Sequence, residues 1–410
     1  MTYKAYKIRI YPNKKQEVLI KKTFGCSRFI YNIMLEENIK VYKDLGDNKD
    51  ALHKHIYKTE KEYKQEFVFL KEVSSIALVQ SHRDLIQSFK NFFNPKTKHK
   101  HPKFHSKYGK QSFREVQHIH FKNKKLKIPK MDWLKTRGLN KNLNSKDIRF
   151  VTISKDKVGC YYASITIDFI PEELPIDDKA IGIDLGLKHF CITSDEEFIK
   201  NPKFYRKSEW KIKKHSRRLF KKKKGSNRKN KQRIVLAKIH KKIYNQRNDF
   251  LHKLSSKYVS KNQVICLEDL NIKGMVKNRR LSKSIHDVSW SKFVSMLEYK
   301  SNWYGRTLVK VNRLFPSSKL CSKCGCKKDT LGLNERVYSC EHCGMSLDRD
   351  YNASLNILRE GLNISKNKIT PAGRRSTMLV EHKATVSKFK LKYKLVRRSE
   401  KSSPKGEGSS

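Results

Sequence analysis

Cys321-Ser-Lys-Cys324, fifteen residues, Cys340-Glu-His-Cys343, and then Asp348-Arg-Asp350-Tyr-Asn352-Ala-Ser354-Leu-Asn356 is the stretch that decides the reading of this chain. A C-x2-C pair puts two sulfurs on one tight turn, so each pair can grip one metal ion. Two such pairs separated by about 15–20 residues make a zinc-ribbon pattern, with Cys321, Cys324, Cys340 and Cys343 closing a tetrahedron around one structural Zn²⁺. The acidic knot directly behind it opens a helix-like run. Asp348 and Asp350 read either as an N-cap with its dipole partner or as part of an acidic site.

Working outward, the bulk composition narrows the partners. The chain has 410 residues, enough for two or three domains. Lys and Arg outnumber Asp and Glu 93 to 39, a net charge of +54. Such an excess repels itself, and a polyanion is the economical partner. The sequence offers neither an apolar run of about 18 residues nor a signal-peptide pattern, so a membrane is not expected. Nine cysteines, four in metal spacing, suit a reducing intracellular setting, cytoplasm or nucleoid in a prokaryote. Cys326 lies outside the pair spacing and reads as a bystander.

Tyr6–Tyr11 alternates as a half-wet strand. Residues 14–44 read as two helices broken near Gly25. Another helix is predicted from Ser74 to Phe93, carrying Gln80, Arg83 and Lys90 away from its apolar stripe. Short β-rich runs fill 112–170, and an acidic linker covers 171–179. Beyond it, Ala180-Ile-Gly-Ile-Asp184-Leu-Gly-Leu187 and Gln263-Val-Ile-Cys-Leu-Glu268 are strands that each carry one carboxylate.

Asp184, Glu268 and Asp350 lie 84 and 82 residues apart, each at the edge of an apolar element. A carboxylate beside a buried strand is costly without a positive partner. Three converging acids can hold two Mg²⁺ ions roughly 4 Å apart, suited to phosphodiester hydrolysis. Each acid alone has a bland reading as a turn or cap residue. Their order, with the cysteine pairs before the third, is hard to obtain by chance.

These residues resemble the TnpB (OrfB-type) transposon-encoded nucleases, relatives of type V CRISPR effectors. Gly182-Ile-Asp184-Leu-Gly186, Leu267-Glu268-Asp269-Leu270 and Asp348-Arg-Asp350-Tyr-Asn352-Ala-Ser354 resemble the three RuvC motifs, with Asp350 as the third metal ligand. Tyr6–Pro12, Thr23–Asn32 and the basic Pro102–Lys107 segment resemble other family signatures. The resemblance implies an α/β, multi-domain chain. A β-barrel wedge domain would take 1–12 and 100–172, a helical recognition lobe 13–99, and an RNase H-like RuvC nuclease 178–319 and 344–365. The zinc-ribbon insert would be 320–343, followed by a basic, disordered tail at 366–410. It also implies a guide RNA, a double-stranded DNA target cut beside a short flanking motif, two catalytic Mg²⁺ and one structural Zn²⁺.

Residues 211–233 hold 13 Lys or Arg and no acid. Arg217, Arg218, Lys221 and Lys222 are therefore candidates for phosphate contacts, as is Lys103. Gln80 can read adenine and Arg83 guanine, with Lys90 beside them. Tyr6, Phe104 and Trp133 could stack on bases, but core positions are the simpler expectation. Two rivals remain: an RNA-independent RuvC-like resolvase or transposase, and a non-cutting DNA-binding repressor. The intact acidic triad speaks against the second.

Overall fold

The N-terminal strand is capped and followed by a helix for local reasons. β1 (Thr2–Tyr11) stops before Pro12, and Asn13 opens α1 (Lys14–Leu45) with a capping box. Asn13 Oδ1 accepts from Gln16 N at 2.8 Å, and Gln16 Oε1 accepts from Asn13 N at 2.9 Å. The computed structural model describes residues 2–46, 57–139, 143–332 and 334–367. The expected tail falls almost wholly outside them. Two units divide between Ile170 and Pro171.

The first unit continues with α2 (Glu60–Glu66) and α3 (Ser75–Phe93). Six strands follow: β2 (Gln111–Glu115), β3 (His120–Lys122), β4 (Lys125–Ile128), β5 (Met131–Arg137), β6 (Ile148–Lys155) and β7 (Tyr161–Phe169). They form one seven-stranded sheet in the order β2-β6-β7-β1-β5-β4-β3, with antiparallel ladders. The first strand thus sits in the middle, paired with β5 and β7. Ile20 and Phe24 from the first half of α1 pack on the sheet core with Ile8, Ile10, Val151 and Ile165. Ile30, Met34 and Leu35 from its second half pack against Leu78 and Leu85 of α3. The expected break near Gly25 does not occur. Glycine costs a helix interior about 1 kcal/mol, and the two cores gripping α1 on either side of Gly25 outweigh that.

The second unit opens with β8 (Ala180–Leu185), β9 (His189–Thr193) and β10 (Phe198–Lys200). Two long helices follow, α4 (Phe204–Phe220) and α5 (Asn227–Lys261), turning at Gly225 with φ +86°. Then come β11 (Val264–Glu268), α6 (Ile272–Met275), α7 (Arg279–Val288), α8 (Trp290–Trp303), β12 (Thr307–Val311), β13 (Val337–Ser339), β14 (Ser346–Asp348) and α9 (Arg349–Asn367). The main sheet runs β10-β9-β8-β11-β12. Its first three strands are antiparallel, and β11 is parallel to both β8 and β12. Period-two alternation sends Ile181, Ile183, Leu185, Ile265 and Leu267 into a core with α5 and α8. Ala180, Val264 and Cys266 face the other way, into a core with Ile357 and Leu358 of α9. The buried Asp287 carboxylate accepts from the N–H groups of Tyr205 and Arg206 and from Arg247, which fixes the α4–α5 pair to α7.

One buried acid in the first unit carries a pH signature. Glu115 is 1 % exposed, accepts from Ser74 Oγ at 3.0 Å, and is pushed by burial up to about 7. An acid with a raised folded-state pKa contributes stability that is complete below its unfolded value and is lost as pH rises through 7. Thermal unfolding of the wild type should fall between pH 5 and 8, by an amount on the order of 3 kcal/mol at most. Glu115→Gln should flatten that dependence. An equal fall in both proteins would remove Glu115 as its source.

Candidate active site

Strand alternation and register bring two of the three acids together. Ile183 pairs with Leu267 in the parallel β8–β11 ladder, so Asp184 and Glu268 follow at the same end of neighbouring strands. Both belong to the face that meets α9. Glycine at 182 is required there. A Cβ on it would lie 2.2 Å from the Ser354 carbonyl oxygen and 2.8 Å from Leu358. One step along, a Cβ on Gly361 would meet Cys266 Sγ at 2.3 Å. The helix therefore lies almost directly on the two strands, which sets its first turn, with Asp350, beside Asp184.

Asp348 Oδ1 accepts from the N–H groups of Asp350 and Tyr351 at 2.9 and 3.1 Å. It caps the helix, as its spacing suggested, and leaves the Asp350 carboxylate directed elsewhere. Arg349 donates Nε and Nη2 to Asp350 Oδ1, both at 3.1 Å. Burial, then the neighbouring Asp350 and Glu268 charges, push the Asp184 carboxyl up to about 8. Burial followed by Asp269 raises Glu268. The carboxylates share one end of the sheet, but their oxygens do not converge. Among the described residues, the donor groups that gather within 4.8 Å are built on cysteine. A cleft of about 320 Å³ opens beside Glu268, between Leu185, Asn271, Val294 and Arg313.

The cysteine centre has the geometry its spacing predicts. Sγ–Sγ distances are 3.6 Å for Cys321–Cys343 and for Cys324–Cys340. A zinc tetrathiolate with bonds of about 2.3 Å needs edges of about 3.8 Å, so the four donors fit Zn²⁺. The two knuckles repeat one design. Gly325 N bonds Cys321 O and Gly344 N bonds Cys340 O, with φ of +82° and +66°, a conformation that favours glycine. Backbone N–H groups of Cys343 and His342 hold the Cys340 thiol below its ordinary value. Cys326, read as a bystander, gathers with Cys324 and His342 within the same 4.8 Å limit.

Asn352 and Asn356 have a structural role that their motif does not announce. Both are fully buried on α9. Asn352 accepts from Ser322 N at 2.9 Å and donates to Leu320 O at 2.7 Å. Asn356 donates to Ser317 O and Leu320 O. Arg359 reaches Cys321 O and Ser322 O. At i, i+4 and i+7 these three face one way, and they bolt the first knuckle to the helix that carries Asp350. Polar residues at helical spacing inside an apolar run were the available signal.

The candidate nucleic-acid residues divide. Arg83, Lys90, Lys103, Arg217, Arg218 and Lys221 are exposed, and Lys222 is half-buried. Gln80 needs correction: it is 5 % exposed, on the face of α3 that packs inward with Ala77 and Leu78, and does not present its amide to solvent. Phe104 and Trp133 are corrected in the opposite direction. They are 55 % and 41 % exposed, whereas Tyr6 packs against the sheet core.

Residues 159–279 match the family described as "Probable transposase" (OrfB_IS605). Residues 290–357 match "Cas12f1-like, TNB domain", and 1–47 match a "Helix-turn-helix domain". A relative named as an RNA-guided DNA endonuclease in Streptomyces pristinaespiralis is 36 % identical over 365 residues, covering 88 % of this chain and 90 % of its own. InsQ of Escherichia coli K12, named in the same way, is 27 % identical over 383 residues, covering 87 % and 92 %. The chain belongs to this OrfB family of TnpB-like proteins. Its fold is also similar to the Cas12f1 chain of a Cas12f1–sgRNA–target DNA complex, with a TM-score of 0.51, 14 % identity and coverage of 87 % and 98 %.

Asn352→Ala should leave the Ser322 N–H without its partner, while the Leu320 carbonyl keeps Asn356 as a donor, costing about 1–3 kcal/mol for the group left unsatisfied. Zinc release to a metallochromic chelator should speed up accordingly. Release at the wild-type rate would mean that the knuckle holds its shape without the helix. Gly182→Ala should lower the unfolding temperature of the second unit, because the obstacle is a backbone carbonyl and not a mobile side chain.

Proposed function

We propose that this protein is an RNA-guided, Mg²⁺-dependent DNA endonuclease of a transposon, cutting target DNA next to a short flanking motif. One observation carries the reading: Asp184 and Glu268 end neighbouring strands of a β10-β9-β8-β11-β12 sheet, with Asp350 near enough to raise Asp184, in a member of a family whose relatives bear that name. The sheet order and the mix of antiparallel and parallel ladders suit an RNase H-like RuvC domain. The seven-stranded sheet suits a wedge domain and α1–α3 a recognition lobe.

The three carboxylates fit a hard divalent cation by their chemistry: oxygen donors, partly buried, with Asp184 raised by its acidic neighbours. Bound there, Mg²⁺ supplies activation of a water and neutralisation of the leaving oxygen. The chain's own contribution is placement. Adjacent parallel strands fix Asp184 against Glu268, and the glycine-tight helix fixes Asp350. Asp348 is occupied with capping, so it does not compete as a ligand. Arg349 balances Asp350. The cysteines hold one structural Zn²⁺, and the exposed cations of α4 grip phosphates in proportion to their number. Guide RNA and double-stranded DNA are the partners, in an intracellular setting. No described helix is long and apolar enough to cross a membrane.

Asp184→Ala, Glu268→Ala and Asp350→Ala should each abolish Mg²⁺-dependent cleavage while nucleic-acid binding stays near wild type, since affinity rests on Lys and Arg. Asp348→Ala should retain cleavage and lose about 1 kcal/mol of helix stability. Cleavage at wild-type rate by all three triad variants would place the chemistry elsewhere. Protein stripped of RNA should lose target selection. Sequence-directed double-strand cutting by RNA-free protein would favour a resolvase instead.

A further inference from the structure

The segment between α3 and β2, residues 94–110, is held far more firmly than its composition suggests. His101 sits edge-on to Phe89 and Phe92, with ring centroids 5.6 and 5.3 Å apart. Pro102 is buried. The His105 ring stacks on the buried Tyr31 ring at 3.8 Å and 8°. Asn32 brackets the His105 backbone, donating to its carbonyl at 3.0 Å and accepting from its N–H at 2.7 Å. Gln111 Nε2 donates to Lys107 O at 2.7 Å, and Gly109 N closes a turn on Ser106 O at 3.0 Å.

This anchoring leaves two rings outside. Phe104 is 55 % exposed and Tyr108 is 92 % exposed. Around them stand Lys96, Lys98, Lys100, Lys103, Lys107 and Lys110, all exposed, and the segment contains no acid. Exposed aromatic rings on an anchored backbone, flanked by lysines, have the composition of a stacking platform for unpaired nucleotides: the rings take bases and the lysines take phosphates. A duplex is a poor occupant, because its bases already stack on each other. Unstacked bases are most plentiful in RNA loops and single-stranded stretches.

We propose that Phe104 and Tyr108, presented by the His105 clamp, form a stacking site for unpaired nucleotides of RNA. The proposal rests on the nucleic-acid reading given above and adds the place where the strand is held. Preorganisation explains the clamp: a platform already fixed loses little entropy when a base lands on it.

The test uses the full chain and a short unstructured RNA carrying 5-iodouridine, with excess unlabelled duplex DNA to occupy general phosphate sites. Irradiation should cross-link the RNA to Phe104 or Tyr108, read by mass spectrometry of the peptides. Phe104→Ala with Tyr108→Ala should remove that cross-link and weaken single-strand affinity on the order of tenfold per ring. Phe104→Trp should restore binding, and the salt dependence should stay unchanged in all three variants. Cross-links confined to other aromatics such as Trp133 or Trp210 would overturn the site. Stronger cross-linking of the matching 5-iododeoxyuridine DNA would overturn the choice of RNA. Absence of any strand binding would overturn the nucleic-acid reading as well, so the two failures are distinguishable.

Discussion

The second unit depends on one close approach: α9 pressed onto β8 and β11 through Gly182 under Ser354 and Gly361 over Cys266. Side chains usually keep a helix and a sheet further apart. Here two glycines remove the spacer, and the Ile357 and Leu358 side chains seal the contact with Ala180, Val264 and Val309. The arrangement converts packing into chemistry. Because the helix backbone is located to within a fraction of an ångström, its first turn is too, and Asp350 arrives where two strand ends already hold acids. The same helix receives the first cysteine knuckle on Asn352, Asn356 and Arg359. Cysteine knuckle and acidic sheet end thus share a single helix.

The electrostatic pattern follows from the same division. Carboxylates are drawn to one sheet end, where burial and then the Asp350 and Glu268 charges raise Asp184, and cations are spread over helices and loops that meet solvent. Arg217, Arg218 and Lys221 lie on a helix pair whose base is fixed by the buried Asp287 carboxylate. A structural acid thereby holds a basic surface in place without neutralising the exposed side chains themselves.

Much of this was legible in the sequence where local rules decide. Apolar runs located β8 and β11, and paired spacing located the four cysteines. A strand-end acid stands out because nothing apolar explains it. The failures are long-range. Gly25 is a break by propensity, yet two separate cores hold the helix through it. Gln80 lies three residues before the exposed Arg83 on the same helix, and only packing decides which of them turns inward. Phe104 and Trp133 are apolar enough for a core, but Phe104 lies beside the anchored His105 and Trp133 lies on the solvent side of β5, an interior strand of the sheet. Asn352 and Asn356 were visible only as letters, since their partners lie more than thirty positions away.

The order of elements along the chain has a consequence for biosynthesis. Asp184 and Glu268 leave the ribosome long before Asp350, which belongs to the last described helix. Until that helix is made, the sheet end has no third carboxylate and no lid over Gly182 and Cys266, while the basic helices are already complete. The third carboxylate therefore arrives only with the packing that completes the second unit, so the acidic end and the core beneath it are finished in one step.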